Sequence, residues 1–210
     1  MSRGIQLTME ELVSVELQHI NVKLALQDSG QIDLDGLIPV FHSWIQDQVC
    51  DELLLDVADY RHVPDGPGIV LIGHEANYSV DNIEGRLGLR YHRKAVIAGT
   101  NQDRLEQAFR SAVRAAQRLA EDAPEGEKLA INGQEIEMWI NDRLLAPNRE
   151  ATRSALGSEL RIFLDKLFAG SSYTLSLDPD PRRLLTARIA SDRKFSVSEL
   201  LETLKEPRII

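Results

Sequence analysis

Four side chains in the first half of the chain, Asp56, Glu75, His92 and Lys94, are of types that could do chemistry if they met. Two carboxylates beside an imidazole can hold a divalent metal or share acid–base work, because a neighbouring carboxylate tunes the charge state of a histidine. Three strand-like runs, at 53–60, 69–80 and 87–97, carry them. If the turn around Asn82-Ile83-Glu84-Gly85 pairs Val80 with Leu87, antiparallel register sets Tyr78 against Leu89, Ala76 against Tyr91, Ile72 against Ala95 and Val70 against Ile97. On the opposite face Glu75 then meets His92, Asn77 meets Arg90 and Asp81 meets Arg86, with Asp56 beside Gly73 and Lys94 next along.

That strip yields three expectations. Asp56, Glu75 and His92 form the candidate metal set, the same three with Lys94 the candidate catalytic set, and Gly73, Asn77 and Arg90 the candidate ligand contacts. Gly73 belongs there because a glycine inside a strand marks a bulge or the close approach of another group. The plainer reading is a solvated sheet face with cross-strand pairs worth ~0.2–1 kcal/mol each, and it is the favoured one. A second, weaker cluster, Asp59, His62 and Asp65, lies near the Pro- and Gly-rich run of the loop at 61–68, where acidic residues usually serve turn geometry.

Familiar signatures are missing. There is no Walker A run, no Gly-x-Gly-x-x-Gly after a strand and no Gly-x-Ser-x-Gly elbow. His74-Glu75-Ala76-Asn77-Tyr78 begins like a zinc-protease helix, but Tyr78 stands where the second histidine must be and the segment alternates like a strand. Cys50 is the only cysteine, which excludes an internal disulfide and reads as a small buried hydrophobe. Trp44 and Trp139 read as core or interface, since no basic residues interleave with them as single-strand nucleic-acid binders require.

Charge narrows the partners. The 210 residues carry 24 basic and 33 acidic side chains, a net charge of −9 that opposes nucleic acid and anionic lipid. Fifteen acidic and three basic residues fall in 1–85, four and eight in 86–122, an asymmetry expected to be satisfied internally. No apolar run approaches the roughly 18 residues of a membrane span, and the expected location is the cytoplasm.

The elements that must position these residues are read from periodicity. Alternation from Val13 to Leu26 gives a strand whose change of parity at Gln18-His19 requires a bulge or bend. Leu37, Phe41, Trp44 and Ile45 give a helix, and Thr100 with Asp103 caps a second one with Arg110, Arg114 and Arg118 as its solvent stripe. In the second half, Asn132-Gly133 predicts a tight hairpin, Pro147-Asn148 opens a helix that Gly170 ends, two strands flank the loop at 178–183, and Ser196 with Glu199 caps a last helix. The expected class is α+β: a three-stranded antiparallel meander in the first half and hairpins in the second, with amphipathic helices on one face. Residues 1–122 and 128–210 form the two halves, joined by a linker at 123–127, and their similar element order raises a distant duplication. Residues 35–169, taken as α-βββ-α-ββ-α, follow the element order of type III secretion chaperones, small acidic dimers that hold partner chains, without sharing a motif residue.

The functional expectation is a non-catalytic binding or adaptor protein, homodimeric or bound to a protein partner, with no evident cofactor. The alternative is a small metal-assisted or acid–base enzyme using Asp56, Glu75 and His92.

Overall fold

Strands with apolar side chains on alternate residues need a covering layer on one side, and here all of them find the same layer. The computed structural model describes residues 15–27, 34–123 and 129–204. In chain order the elements are β1 (Ile20–Leu26), α1 (Leu37–Asp47), β2 (Leu54–Asp59), β3 (Ile69–Gly73), β4 (Ala76–Asp81), β5 (Gly88–Arg93), α2 (Asn101–Glu121), β6 (Ile131–Ile140), α3 (Glu150–Leu167), β7 (Tyr173–Leu177), β8 (Leu185–Ser191) and α4 (Val197–Thr203). The strands make one antiparallel sheet in the order β2-β3-β4-β5-β1-β6-β8-β7. The α+β class with helices on one face therefore holds, and the first-half meander, four-stranded as β2–β5, and the β7–β8 hairpin lie within one eight-stranded sheet.

Each half runs strand, helix, antiparallel strands, helix, and in each the last strand returns to pair with the first: β5 with β1, β8 with β6. The halves meet where β1 pairs with β6. The linker expected at 123–127 falls outside the described residues from 124 onward, as does Val13 at the start of the first strand.

The core lies between the sheet and the helices. Val22, Leu24, Tyr78, Tyr91, Met138 and Ala187 point into it from the strands, and Trp44, Phe109, Phe163 and Leu164 meet them from the helices. Tyr78 packs on Tyr91 with ring centroids 5.4 Å apart, and Phe109 on Phe163 at 4.7 Å. The apolar stripes of α2 and α3 are both buried within one chain, so covering them needs no second copy. Among the described residues no helix is long and apolar enough to cross a membrane.

Local signals behaved unevenly. Both capping boxes form, Thr100 with Asp103 and Ser196 with Glu199. His19 adopts a left-handed φ of 50°, the bend that the parity change required. Residues 69–80 are two strands, not one: the chain reverses at His74-Glu75, and a Cβ on Gly73 would sit 2.5 Å from the Ala76 carbonyl oxygen. That close approach, not a ligand, explains the glycine. Asn132-Gly133 makes a bulge within β6 instead of a hairpin: Asn132 Oδ1 accepts from the amides of Gln134 and Glu135, and β1 skips from Ile136 to Ile131. The Gly133 carbonyl accepts the Phe195 amide at 2.8 Å, so the bulge is fastened by the segment that leads into α4.

The basic segment is satisfied internally, as its asymmetry suggested. Arg93 pairs with Glu75, Arg104 with Glu16 and Arg114 with Asp51, each joining the basic segment to the acidic first third.

Gly133 combines a φ of 71° with a hypothetical Cβ only 2.1 Å from the Phe195 carbonyl oxygen. Gly133→Ala is expected to cost more than the ~1–2 kcal/mol of left-handed strain alone. Urea unfolding that gave the variant wild-type stability would contradict the bulge.

Candidate functional site

The face that the helices leave bare gathers the polar strand positions. Pairing aligns Ser79, Arg90, Lys23, Glu137, Arg188 and Ser176 in one row across six strands. The adjacent row holds Asn77, His92, Asn21, Trp139 and Thr186.

The deepest group is Asp81, fully buried although no helix of the described residues lies over it. Lys23 Nζ donates to its Oδ1 at 2.6 Å, Arg90 Nη2 stands 2.8 Å from Oδ2, and the Ile83 amide donates to Oδ1 at 3.0 Å. Lys23 reaches β4 from β1 by crossing β5 at Gly88, where a Cβ would meet its Cε at 2.6 Å. Burial lowers the Lys23 pKa against the opposing pull of Asp81, and burial likewise lowers that of Arg90. Arg90 also lies over Trp139, its guanidinium carbon 4.8 Å from the ring centroid.

Above this floor runs a trough of about 320 Å³ walled by Arg86, Arg183, Arg188, Glu137, Trp139 and Thr186. A more apolar depression of about 210 Å³, with Ala25, Leu87, Thr174 and Ser176 in its walls, continues it toward β7. The two share Lys23, Arg86, Glu137 and Arg188. At their boundary the Glu84 carboxylate accepts from Arg86 and Arg183 at 2.5 Å each, with Arg188 at 3.4 Å. Glu137 stands 3.3 Å from Arg86 and 3.2 Å from Arg188, and Asp178 stands 3.3 Å from Arg183. The Arg183 hydrogen bond, with Arg86 and Arg188 nearby, holds the Glu84 carboxyl below its ordinary pKa.

Two local devices set these positions. Asp81 anchors the 83–85 turn, on which Glu84 takes a left-handed φ of 55°. Asn148, expected to open a helix, instead donates to the carbonyls of Asp178 at 3.1 Å and Asp180 at 2.8 Å, which pins the loop bearing Arg183. The helix starts after it, with Arg149 as an N-cap that makes no side-chain cap bond.

The residues singled out in the sequence fall differently. The observed register of β4 on β5 differs by two residues, Asn77 with His92 and Ser79 with Arg90, so side chains keep their faces but change neighbours. Glu75 sits in the β3–β4 turn and pairs with Arg93 at 2.9 Å, not with His92. Asp56 is exposed on β2 opposite Ile72, not Gly73, three strands from His92, or ~14 Å at ordinary strand spacing. Lys94 donates to the Gly73 carbonyl at 2.5 Å. His92 has the Asn141 side-chain nitrogen 3.4 Å from its Nε2. The metal and catalytic set of Asp56, Glu75, His92 and Lys94 is thus not assembled, and no three His, Cys, Asp or Glu among the described residues form a metal-holding group. Asn77 and Arg90 do belong to the bare face, and Gly73 has the turn role given above. In the second cluster Asp59 is held by Arg61, which also pairs with Asp35. Burial pushes the Cys50 thiol up to about 12, away from any nucleophilic role.

Lys23, Glu137 and Arg188 carried no functional reading in the sequence, Glu84 and Arg183 stood there only as turn and loop residues, and Trp139, expected in the core or an interface, is half-buried in the trough wall. Their one available signal was polar parity on strands flanking apolar positions, which does not say which strands are neighbours. No protein-family model, curated protein or solved structure matches the chain.

Two expectations follow from this electrostatics. Asp81→Asn strands the buried Lys23 and the half-buried Arg90 and is expected to cost ~3–5 kcal/mol, whereas Lys23→Met leaves Asp81 with Arg90 and should cost less. Urea titrations giving the reverse order would overturn the pairing. Burial lowers the His92 pKa below 6.5, and the charges of Arg90, Lys94 and His19 add to the effect. The unfolded chain then binds this proton more readily, so His92 makes stability fall as pH drops below about 6.5 toward the folded pKa. His92→Gln should flatten that part of the Tm profile between pH 7.5 and 5, values chosen to bracket the ordinary histidine range; an unchanged slope would count against it.

Proposed function

We propose that this is a non-catalytic binding protein that takes its ligand in the trough on the bare sheet face. The observation that carries the reading is a concave site whose polar side chains come from separate segments, β5, β6, β8 and the two loops beside them, and are fixed by mutual ion pairs. Such fixed groups suit recognition, because their ordering cost is met before the ligand arrives. They suit proton transfer poorly: Glu84 is held low and Arg183 high, whereas an acid–base residue works best with a pKa near the ambient pH. The net charge of −9 favours a small or protein ligand over nucleic acid, and a single, partly buried cysteine suits the cytoplasm.

Amide NMR of the full chain with a pool of small polar and aromatic fragments tests this. Shifts should cluster on Lys23, Arg86, Trp139, Thr186 and Arg188, and Arg188→Ala should weaken the hits. Fragments that instead gathered on the helical side would overturn the proposal.

A further inference from the structure

Resting on the trough reading, we propose that Arg86, Arg183 and Arg188 form a binding site for a phosphate monoester, and that the Glu84 carboxylate fills that site in the ligand-free chain. Three guanidinium groups from three segments meet on one carboxylate, Arg183 on Oε1 and both Arg86 and Arg188 on Oε2. A carboxylate offers two oxygens to these three donors, while a phosphate monoester offers three, one for each arginine. Guanidinium forks match that oxyanion geometry, and charge-assisted hydrogen bonds to it are strong.

The residue that fills the site is built to leave. Glu84 is partly exposed and takes a left-handed φ of 55° on a three-residue turn, a conformation costly for a residue with a side chain. Withdrawal would release that strain and let the turn swing away, while Asp81 still holds the Ile83 amide.

Charge limits the size of the anion. With Glu84 withdrawn, the three arginines together with Lys23 and Arg90 face Glu137, Asp178 and Asp81, which leaves two net positive charges at the site, close to the charge of a phosphate monoester. That balance suits one phosphoryl group and disfavours polyphosphates, which the acidic chain also repels. Beyond the arginines the trough continues between Trp139, Leu184 and Thr186, an aromatic and apolar wall that fits a flat ester group.

The wild-type chain carries its own reporter. Trp44 is fully buried and Trp139 is not, so acrylamide quenching of tryptophan fluorescence reads the trough. Phenyl phosphate should protect Trp139, and Glu84→Gln should bind it at least about tenfold more tightly, because the tethered competitor is gone. Arg183→Ala in the Glu84→Gln chain should abolish the gain. Equal affinity for inorganic phosphate, or for benzoate, would overturn the monoester assignment. If fragments cluster in the trough but phenyl phosphate binds neither chain at millimolar concentration, the phosphate site falls while the trough reading survives.

Discussion

Asp81 is a carboxylate with no access to water on a sheet face without a helical cover, and much of the architecture follows from satisfying it. A buried charge is tolerated only when it is paired and hydrogen-bonded, and Asp81 draws one cation from β1, another from β5 and an amide from its own turn. The pairing spans three strands, so it fixes their relative register more tightly than apolar rows do: a one-residue slip would send Lys23 into the core. It also explains Gly88, since any side chain there would block the path of Lys23 across β5. Through Glu137, the strand partner of Lys23, the same row passes into the second half of the chain.

Local sequence chemistry foretold the elements better than their neighbours. Alternation, capping boxes and the bend at His19 depend on contacts a few residues apart, and these were legible. The fate of Asn132-Gly133 was not, because its bulge is settled by the Phe195 amide, some sixty residues away in sequence. The reversal at His74-Glu75 was hidden because the continuous apolar run at 69–72 fits either face, and it sends Val70 and Ile72, expected on the apolar face, to the bare one beside Ser79 and Asn77. The register of β4 on β5 differed by an even number of residues, which preserves faces; Asn77 and Arg90 were therefore correctly assigned to the polar face although each had the wrong partner.

The trough was illegible for a topological reason. Its residues run from Lys23 to Arg188, and they become neighbours only because each half closes its last strand onto its first and the two first strands then pair. Each residue alone is an ordinary polar position on a strand or turn. Arg188 beside Glu137 becomes visible only once β8 is known to pair with β6, and Arg183 beside Glu84 only once the β7–β8 loop is seen to lie near the 83–85 turn.

Depth separates two kinds of electrostatics on this one face. Asp81 and Lys23 have lost their water and Arg90 most of its own, so removing one leaves others stranded, and the pairing behaves as part of the fold. Glu84 and its arginines remain partly in water, where screening makes each contact with the carboxylate weak enough for a competing anion to replace, while the arginines stay gathered by Glu137 and Asp178. A rigid floor beneath an exchangeable rim can accept a competing anion without loosening the sheet. The reverse arrangement, with replaceable pairs below and locked pairs above, would couple every binding event to partial unfolding. The burial of Asp81 below the exposed carboxylate of Glu84 therefore lets the same strands both stabilise the fold and carry the proposed site.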